Sequence, residues 1–401
     1  MSGIVAAARL HPRHEVTLFE SQAQLGGHTH TVTVDRDGAT WHIDTGFVVL
    51  NDRNYPRFRA LLSEAGVALQ PTHMGFSVRA QEEDFEYAGT PRGIFCQRSN
   101  LRRAAYWRML GDLLRFNRAL ARIARSEGED RRSLAKFVDD GGYSRWFIDR
   151  LIVPQVCAVW SADPASLWSF PVGFLAEFLD NHGMLGFRDR PHWETVVGGS
   201  HRYVEALVAP FASRVRYSSA VASIRRDEES VTVRLGDGSH ERFDQVVVAC
   251  HADQALALLE DPSERERELL GAFPYQSNEA TLHTDATLLP HRPAARQAWN
   301  FHLFREPHPA PTVTYYMNRL QRLAATEHFC VSLNMAAYID PAKVIRTITF
   351  THPVFTQAGI CAQRRWSEIS GVQRTHYCGA YWGWGFHEDG VVSGQRAVEG
   401  L

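Results

Sequence analysis

The sequence predicts an α/β fold built around a nucleotide-binding unit, and three stretches of the chain carry that prediction. Residues 3–10 are a run of small and apolar residues typical of a helix, and HEVTLFE follows as a strand that ends at Glu20. A second buried-type strand, DQVVVAC, occupies residues 244–250. In a nucleotide-binding βαβ unit, the acid that ends the second strand accepts hydrogen bonds from ribose hydroxyls.

The first half of such a unit, a strand followed by a G-x-G-x-x-G turn, does not precede the helix. Gly3 would be the last part of that turn, whose glycines let the backbone approach a pyrophosphate at the helix N-terminus. When a strand is missing from the inside of a parallel sheet, backbone groups of the neighbouring strands stay unpaired, and each costs about 1–3 kcal/mol. We therefore expect weak cofactor binding or poor folding, and a lost strand encoded just upstream. The alternative is that another segment fills the gap.

Further elements follow in the middle of the chain. Residues 215–224 and 230–235 alternate like paired strands, and GDG at 236–238 predicts a turn into another strand. TVVGGSHRYVEAL at 195–207 reads as a strand, a Gly-Gly step and a helix. The runs ATLHT and TVTYYM, both within 274–335, predict strands of a second sheet. A length of 401 residues favours two domains.

Three stretches of the chain, taken together, resemble a known flavoprotein family. HEVTLFESQAQLGGHTHTV joins a strand-end Glu to a Gly-Gly pair, DTGF follows at 44–47, and the chain closes with CGAYWGWGFHEDGVVSGQRAVEGL. This set resembles the FAD-dependent superfamily of amine oxidases, protoporphyrinogen oxidase and phytoene-type desaturases, and its bacterial branch of amine-oxidase-like FAD or NAD(P)-binding proteins. The resemblance implies a Rossmann-like FAD-binding domain of the glutathione-reductase type and a discontinuous α+β substrate domain. Residues 1–65, 195–260 and 345–401 would build the first domain, and 66–194 with 261–344 the second.

The resemblance also implies which residues contact FAD. They are Gly3, Glu20, Gly26, Gly27, His28, Asp44, Thr45, Gly46, Val221, Gly379, Ala380, Phe386, His387 and Glu388. Glu20 would hold the adenosine ribose, and the backbone of Val221 would contact adenine. The glycine pair and residues 379–380 would border the diphosphate, and His28 stands where the family often has Arg. Residues 44–46 and 386–387 would lie by the isoalloxazine ring, with a helix starting near Glu388 aimed at the flavin O2.

The resemblance implies hydride transfer from a substrate C–H bond to flavin N5, as in amine oxidases. Two alternatives stay open: a lipid or isoprenoid desaturase of the same fold, and a non-catalytic flavin-binding protein of lipid surfaces. An NAD-linked dehydrogenase is disfavoured because the closing motif is of the flavin type. No residue stands out as a catalytic acid or base. Lys343, in DPAK, reads as the start of a helix, and the register of Cys378 does not suit covalent flavin attachment.

Residues 98–125 carry eight arginines against one acid, Asp112, with leucines at helical spacing. A basic amphipathic helix can lie on anionic lipid, but a solvated outer face of the substrate domain is the preferred interpretation. Residues 151–174 are rich in Trp, Phe and Pro, and we expect core there rather than the wall of a substrate cavity. A small-molecule or lipophilic substrate is expected in either case.

Composition excludes several other classes. A net charge of −2 argues against general nucleic-acid binding. The six cysteines include no C-x-x-C pair, so we expect neither a disulfide framework nor a zinc site, which fits a reducing, cytoplasmic location with peripheral membrane contact as an option. His28 and His30 alternate on an expected strand, but no further ligands point to a metal. No apolar run reaches membrane-spanning length, and the oligomeric state is left open.

Overall fold

The computed structural model describes residues 1–36, 38–126, 130–160, 164, 166–186, 190–306 and 308–401. Its α-helices are α1 (Ser2–Leu10), α2 (Pro56–Glu64), α3 (Pro91–Ile94), α4 (Ala104–Arg125), α5 (Leu134–Gly141), α6 (Arg145–Phe147), α7 (Val153–Trp160), α8 (Val172–Asn181), α9 (His201–Val208), α10 (Ala252–Leu258), α11 (Glu264–Leu270), α12 (Met317–Leu320), α13 (Gln357–Gln363) and α14 (His387–Ala397). Its strands are β1 (Leu18–Phe19), β2 (Thr31–Arg36), β3 (Ala39–Asp44), β4 (Val49–Asn51), β5 (Leu69–Pro71), β6 (Phe76–Ala80), β7 (Glu86–Ala88), β8 (Trp193–Val196), β9 (Val215–Arg216), β10 (Val221–Arg226), β11 (Val231–Leu235), β12 (His240–Phe243), β13 (Val246–Val248), β14 (Tyr275–His283), β15 (Trp299–Leu303), β16 (Val313–Tyr316), β17 (Cys330–Leu333), β18 (Val344–Pro353) and β19 (Thr375–Tyr377).

The predicted nucleotide-binding part consists of α1 and two pairs of parallel strands. β1 pairs with β9, and β13 pairs with β19. Neither pair is hydrogen-bonded to the other within the described residues, so no described segment fills the expected gap between them. α1 packs closely on α14, since a Cβ added at Gly394 would lie 2.5 Å from the carbonyl oxygen of Ser2. The short apolar side chains of α1 therefore bury it against the C-terminal helix.

The middle of the chain forms the elements that its pattern predicts, with one exception. β10, β11 and β12 make an antiparallel sheet, and the GDG turn connects the last two, with Gly238 at φ +87°. β8 leads through Gly198 and Gly199 into α9, which confirms the predicted strand-to-helix step. The expected single strand over 215–224 is wrong, because residues 215–216 pair with β1 instead.

The largest sheet in the described part of the chain has seven strands, in the order β18-β14-β17-β16-β15-β6-β7. It contains the predicted strands β14 and β16. β18 pairs with β14 over most of its length. Residues 345–353 therefore lie in the same sheet as the predicted substrate-domain strands β14 and β16, although the resemblance implies that they belong to the FAD domain.

The helices α3 to α8 lie against this sheet and share one hydrophobic core with it. Tyr106, Met109, Phe116 and Leu120 from α4 are each no more than 1% exposed in that core. The predicted basic amphipathic helix is present as α4, preceded by a 3₁₀ turn at Asn100–Arg102. No helix among the described residues combines the length and the apolar character needed to cross a bilayer.

Candidate functional site

One large cavity connects the parallel strand pairs, the closing segment and the helices α3, α4, α7 and α8. Its volume is about 2550 Å³. Pockets for drug-sized ligands usually measure about 300–1,000 Å³, so this cavity has room for a dinucleotide and a second molecule. Thirteen of the fourteen residues expected at the cofactor line it, and Glu388 is the exception.

Glu20 lies at the end of β1, where the strand reaches the cavity. Its backbone N–H donates to the carbonyl of Arg216 at 2.9 Å, which fixes the strand end. One carboxylate oxygen, Oε1, accepts from the N–H of Gln22 at 2.9 Å and the hydroxyl of Ser21 at 3.3 Å. The other oxygen, Oε2, has no hydrogen-bond partner in the described part of the chain. It is therefore free to accept from a ligand hydroxyl, and Val221 lines the same end of the cavity.

Glycines bring the backbone close to the middle of the cavity. Gly26 and Gly27 have φ values of +129° and +60°, which side-chain-bearing residues rarely adopt. A Cβ at Gly46 would collide with the carbonyl oxygen of His28, so the two turns approach each other closely. Gly379 and Ala380 also line the cavity, as does Gly3 near the start of α1.

The far end of this part of the cavity is formed by residues 44–47 and by the start of α14. The side chain of His387 is packed away, since its ring stacks on Phe47 with centroids 3.5 Å apart. Its Nε2 lies 3.0 Å from the hydroxyls of both Thr29 and Tyr203. Burial also lowers the pKa of His387 well below the usual value, so the ring is neutral at pH 7. Its role is to hold the start of α14 in place.

Asp44 has a fully buried carboxylate that joins three elements around the site. It accepts from the hydroxyl of Thr31 at 2.6 Å, from the N–H and hydroxyl of Ser200 at 2.9 and 2.7 Å, and from the amide of Gln321 at 3.0 Å. Burial raises the pKa of Asp44 to about 6, and the hydrogen bonds from Thr31 and Ser200 oppose that rise. Asp44 therefore fixes the wall of the cavity, and Thr45 and Gly46 follow it along that wall.

Three histidines from distant segments meet at the cavity wall. The ring centroid of His28 lies 5.7 Å from that of His251 and 5.0 Å from that of His352. Burial lowers the pKa of His28 to about 3 and that of His352 to about 4, so both are neutral at pH 7. The buried Nε2 of His28 has no hydrogen-bond partner among the described residues. His28 and His30 both precede β2 rather than lying on it, which corrects the strand position expected for the two residues.

These observations fit FAD. The cavity offers a free carboxylate oxygen at Glu20, glycines at 26–27 and 379, and an unpartnered imidazole nitrogen at His28. Carboxylates suit ribose hydroxyls, and exposed backbone N–H groups suit a diphosphate. The described residues hold no group of three His, Cys, Asp or Glu side chains arranged for a metal ion.

A second arm of the cavity runs from the closing segment toward α3, α4, α7 and α8. Phe386 stacks on Phe178 with centroids 5.4 Å apart, and His182 stacks on the same Phe178 ring at 3.9 Å. Further lining residues of this arm come from α3, α4, α7 and the π-helical turn before α7: Ile94, Leu110, Leu113, Asn117, Leu151, Gln155, Ala158, Val159 and Trp160. Among the described lining residues between positions 66 and 194, none is Asp or Glu. The lining over these positions is therefore mainly apolar and carries no negative charge, and its polar groups include the amides of Asn117 and Gln155, the ring of His182 and the guanidinium of Arg190.

Several expectations need correction. Glu388 accepts from the N–H groups of Arg57 at 3.1 Å and Phe58 at 2.9 Å, and so caps α2 rather than facing the cavity. The described residues between positions 151 and 174 supply part of the cavity wall as well as core. Lys343 ends a short 3₁₀ turn, Pro341–Lys343, that leads into β18 rather than into the expected helix, and its Nζ lies 3.3 Å from a carboxylate oxygen of Asp285.

Sequence reasoning missed four residues of the site: Phe178, His182, His251 and His352. His251 directly follows the strand predicted at 244–250, and this adjacency was the one local signal that could have found it. The other three reach the cavity only through contacts between distant segments. No spacing in the sequence indicates them.

Comparison with known proteins gives a match to one family model and matches to solved structures. A family model for flavin containing amine oxidoreductase matches residues 1–315. No curated protein matches the chain.

Solved structures of similar fold include a cyclohexylamine oxidase from Brevibacterium oxydans, with 17% identity, coverage of 99% of this chain and 96% of its own, and a TM-score of 0.71. A fatty acid isomerase from P. acnes, described as CLA-producing, has 13% identity, the same coverages and a TM-score of 0.71. A putrescine oxidase variant has 13% identity, again the same coverages, and a TM-score of 0.70. At these identities the structural likeness shows the fold.

Proposed function

The chain belongs to the flavin containing amine oxidoreductase family and is an FAD-dependent oxidoreductase, and we propose that it oxidises a C–H bond of a lipophilic, chain-shaped substrate. The observation that carries the substrate class is the apolar arm, whose described lining between positions 66 and 194 contains no carboxylate. An alkylammonium head group buried there would lack a counter-charge, and an unpaired buried charge is strongly unfavourable. An aliphatic chain meets no such cost.

When bound, FAD supplies the hydride acceptor. The chain's own residues hold and orient the two molecules. Glu20 and the glycine backbone at 26–27 hold the nucleotide end, and the aromatic pair Phe178 and Phe386 flanks the junction between the two parts of the cavity. Their stacked rings exclude water from the reacting carbon and favour a flat or apolar group at that point.

Oxidation of a neutral amine is the second candidate. The matching family model and two of the similar folds, the cyclohexylamine and putrescine oxidases, favour it. The fatty acid isomerase, a protein of similar fold whose name describes a lipid substrate, favours the first candidate. The two candidates differ in which substrate reduces the enzyme.

Anaerobic reduction of the FAD-loaded protein tests the proposal, and loss of the flavin absorbance reports the reduction. A long-chain fatty acid or acyl lipid is expected to bleach the flavin, and short alkylamines are not. Leu113→Trp narrows the arm from the lining side of α4, and should slow reduction by the long chain by about tenfold or more. Leu114→Trp, at the neighbouring exposed position, is the matched control and should leave the rate of reduction by the same substrate in neutral detergent unchanged. Bleaching by amines alone would refute the lipophilic assignment.

A further inference from the structure

The outward side of α4, together with α3 and the turn that joins them, carries a surface that the oxidoreductase reaction does not explain. We define the basic face as Phe95, Arg98, Trp107, Arg108, Leu114 and Arg118. On α4, Arg108 follows Trp107 directly, Leu114 lies seven positions after Trp107, and Arg118 lies four positions after Leu114. These spacings place the four side chains on one side of the helix. All six side chains are exposed.

Three arginines of this face are not neutralised by any other described residue. In the part of the chain that the structure describes, Arg98, Arg108 and Arg118 form no ion pair or side-chain hydrogen bond. Arg115 differs, because its guanidinium donates to Asp112 at 2.8 Å and so is partly neutralised. The three unpaired guanidinium groups are therefore available to an anionic partner.

The face is also unusually apolar for a charged surface. Of the eight large hydrophobic side chains exposed among the described residues, three lie here: Phe95 at 53%, Trp107 at 49% and Leu114 at 41%. The indole N–H of Trp107 donates to the carbonyl of Leu101 at 2.9 Å, so its polar edge is satisfied within the protein. The rest of the ring can enter an apolar layer without leaving a donor unpaired.

We infer that the basic face docks on an anionic phospholipid bilayer. Arginines beside exposed aromatic and aliphatic side chains match an interface in which phosphate groups overlie hydrocarbon. A helix of 22 residues is about 33 Å long and lies along the surface rather than across it. Nucleic acid offers the same negative charge but no aliphatic layer for Leu114 to enter.

Docking in this orientation has a consequence for the cavity. Leu110, Leu113 and Asn117 line the apolar arm from the same helix that presents the basic face. A bilayer on the outer side of α4 would therefore lie next to the arm and its acyl-chain substrate. This consequence rests on the proposed function, whereas the docking itself requires neither flavin nor turnover.

Sedimentation of the full chain with vesicles tests the docking. We expect binding to vesicles of phosphatidylcholine mixed with phosphatidylglycerol, no binding to phosphatidylcholine alone, and loss of binding at high salt. Arg108→Gln combined with Arg118→Gln should weaken partitioning about 25-fold, at about fivefold for each arginine near the surface. The matched control, Arg13→Gln with Arg364→Gln, removes the same charge from exposed arginines elsewhere and should bind like the parent protein.

Trp107→Ser probes the apolar half of the face and should weaken partitioning about tenfold with no change in charge. It also serves if the double arginine variant fails to fold. No binding to anionic vesicles, equal loss in the control variant, or binding to a single-stranded RNA oligonucleotide in place of vesicles would each overturn the inference. A protein that docks but never reduces its flavin would contradict the proposed function alone.

Discussion

Replacing Glu20 by Gln should weaken FAD binding without disturbing the fold. The substitution keeps the size of the side chain and one oxygen that can accept from the N–H of Gln22. In the parent protein this N–H lies 2.9 Å from Oε1. It removes the charge from Oε2, the oxygen that has no partner in the described structure and that faces the ribose in the proposed complex. A hydrogen bond to a charged group contributes about 1.5–3 kcal/mol. The dissociation constant for FAD should therefore rise about 10- to 150-fold.

Titration of the apoprotein with FAD measures this change in the dissociation constant, with quenching of the flavin fluorescence as the signal. FMN provides an internal comparison because it lacks the adenosine ribose, so its affinity should be the same in the parent and in the variant. Glu64→Gln, at the exposed end of α2 and outside the cavity lining, is the matched control for loss of one carboxylate. Equal FAD affinity in the parent and Glu20→Gln would refute the assignment of Glu20 to the ribose, and a parallel loss of FMN affinity would indicate damage to the fold.

Two further predictions follow from the same part of the molecule. Because burial holds the pKa of His352 at about 4, below the 6.5 of an exposed histidine, the unfolded state takes up the proton first. Above pH 6.5 the histidine is neutral in both states, and the folded protein keeps its full stability. As the pH falls from 6.5 toward 4, protonation of the unfolded state lowers the free energy of unfolding by about 3 kcal/mol. Urea unfolding at both pH values should show this loss, and His352→Gln should reduce it; an unchanged pH dependence in the variant would contradict the assignment. A strand of about six residues fused ahead of Met1, and able to pair with both β1 and β13, should form about five new backbone hydrogen bonds at ~1 kcal/mol each. Its thermal midpoint and flavin content should both rise, and equal values with and without the fused strand would show that the gap is not the weak point.

The elements that the sequence predicts well are those whose signals are local. The GDG turn between β11 and β12 requires a positive φ at Gly238, and glycine supplies it at little cost. The helical spacing of leucines in α4 identifies its buried side because that pattern depends only on the period of a helix. The glycine step between β8 and α9 is a signal of the same kind.

The features that the sequence does not predict depend on contacts between distant segments. Glu388 was expected near the flavin because it begins the last helix. The start of α2 provides two backbone N–H groups, those of Arg57 and Phe58, that have no acceptor within their own helix, and the carboxylate binds them instead. The contacts of His28 with His251 and His352 likewise join three segments more than 100 residues apart. No window of sequence contains that information.

Helix α4 shows how one local pattern can serve two chemically different surfaces. Leu113 and Leu114 are neighbours in sequence, but about 100° of helical rotation separates them, so the first lines the apolar arm and the second is exposed on the basic face. A substitution at one of these positions can therefore change substrate access without changing membrane docking, and the reverse holds for the other. If docking delivers the substrate, loss of Arg108 and Arg118 should slow reduction by lipid held in vesicles, while leaving reduction by the same lipid in neutral detergent unchanged. Equal rates of reduction from vesicles in the parent and the arginine variant would separate docking from catalysis, and would leave the arm to obtain its substrate from solution.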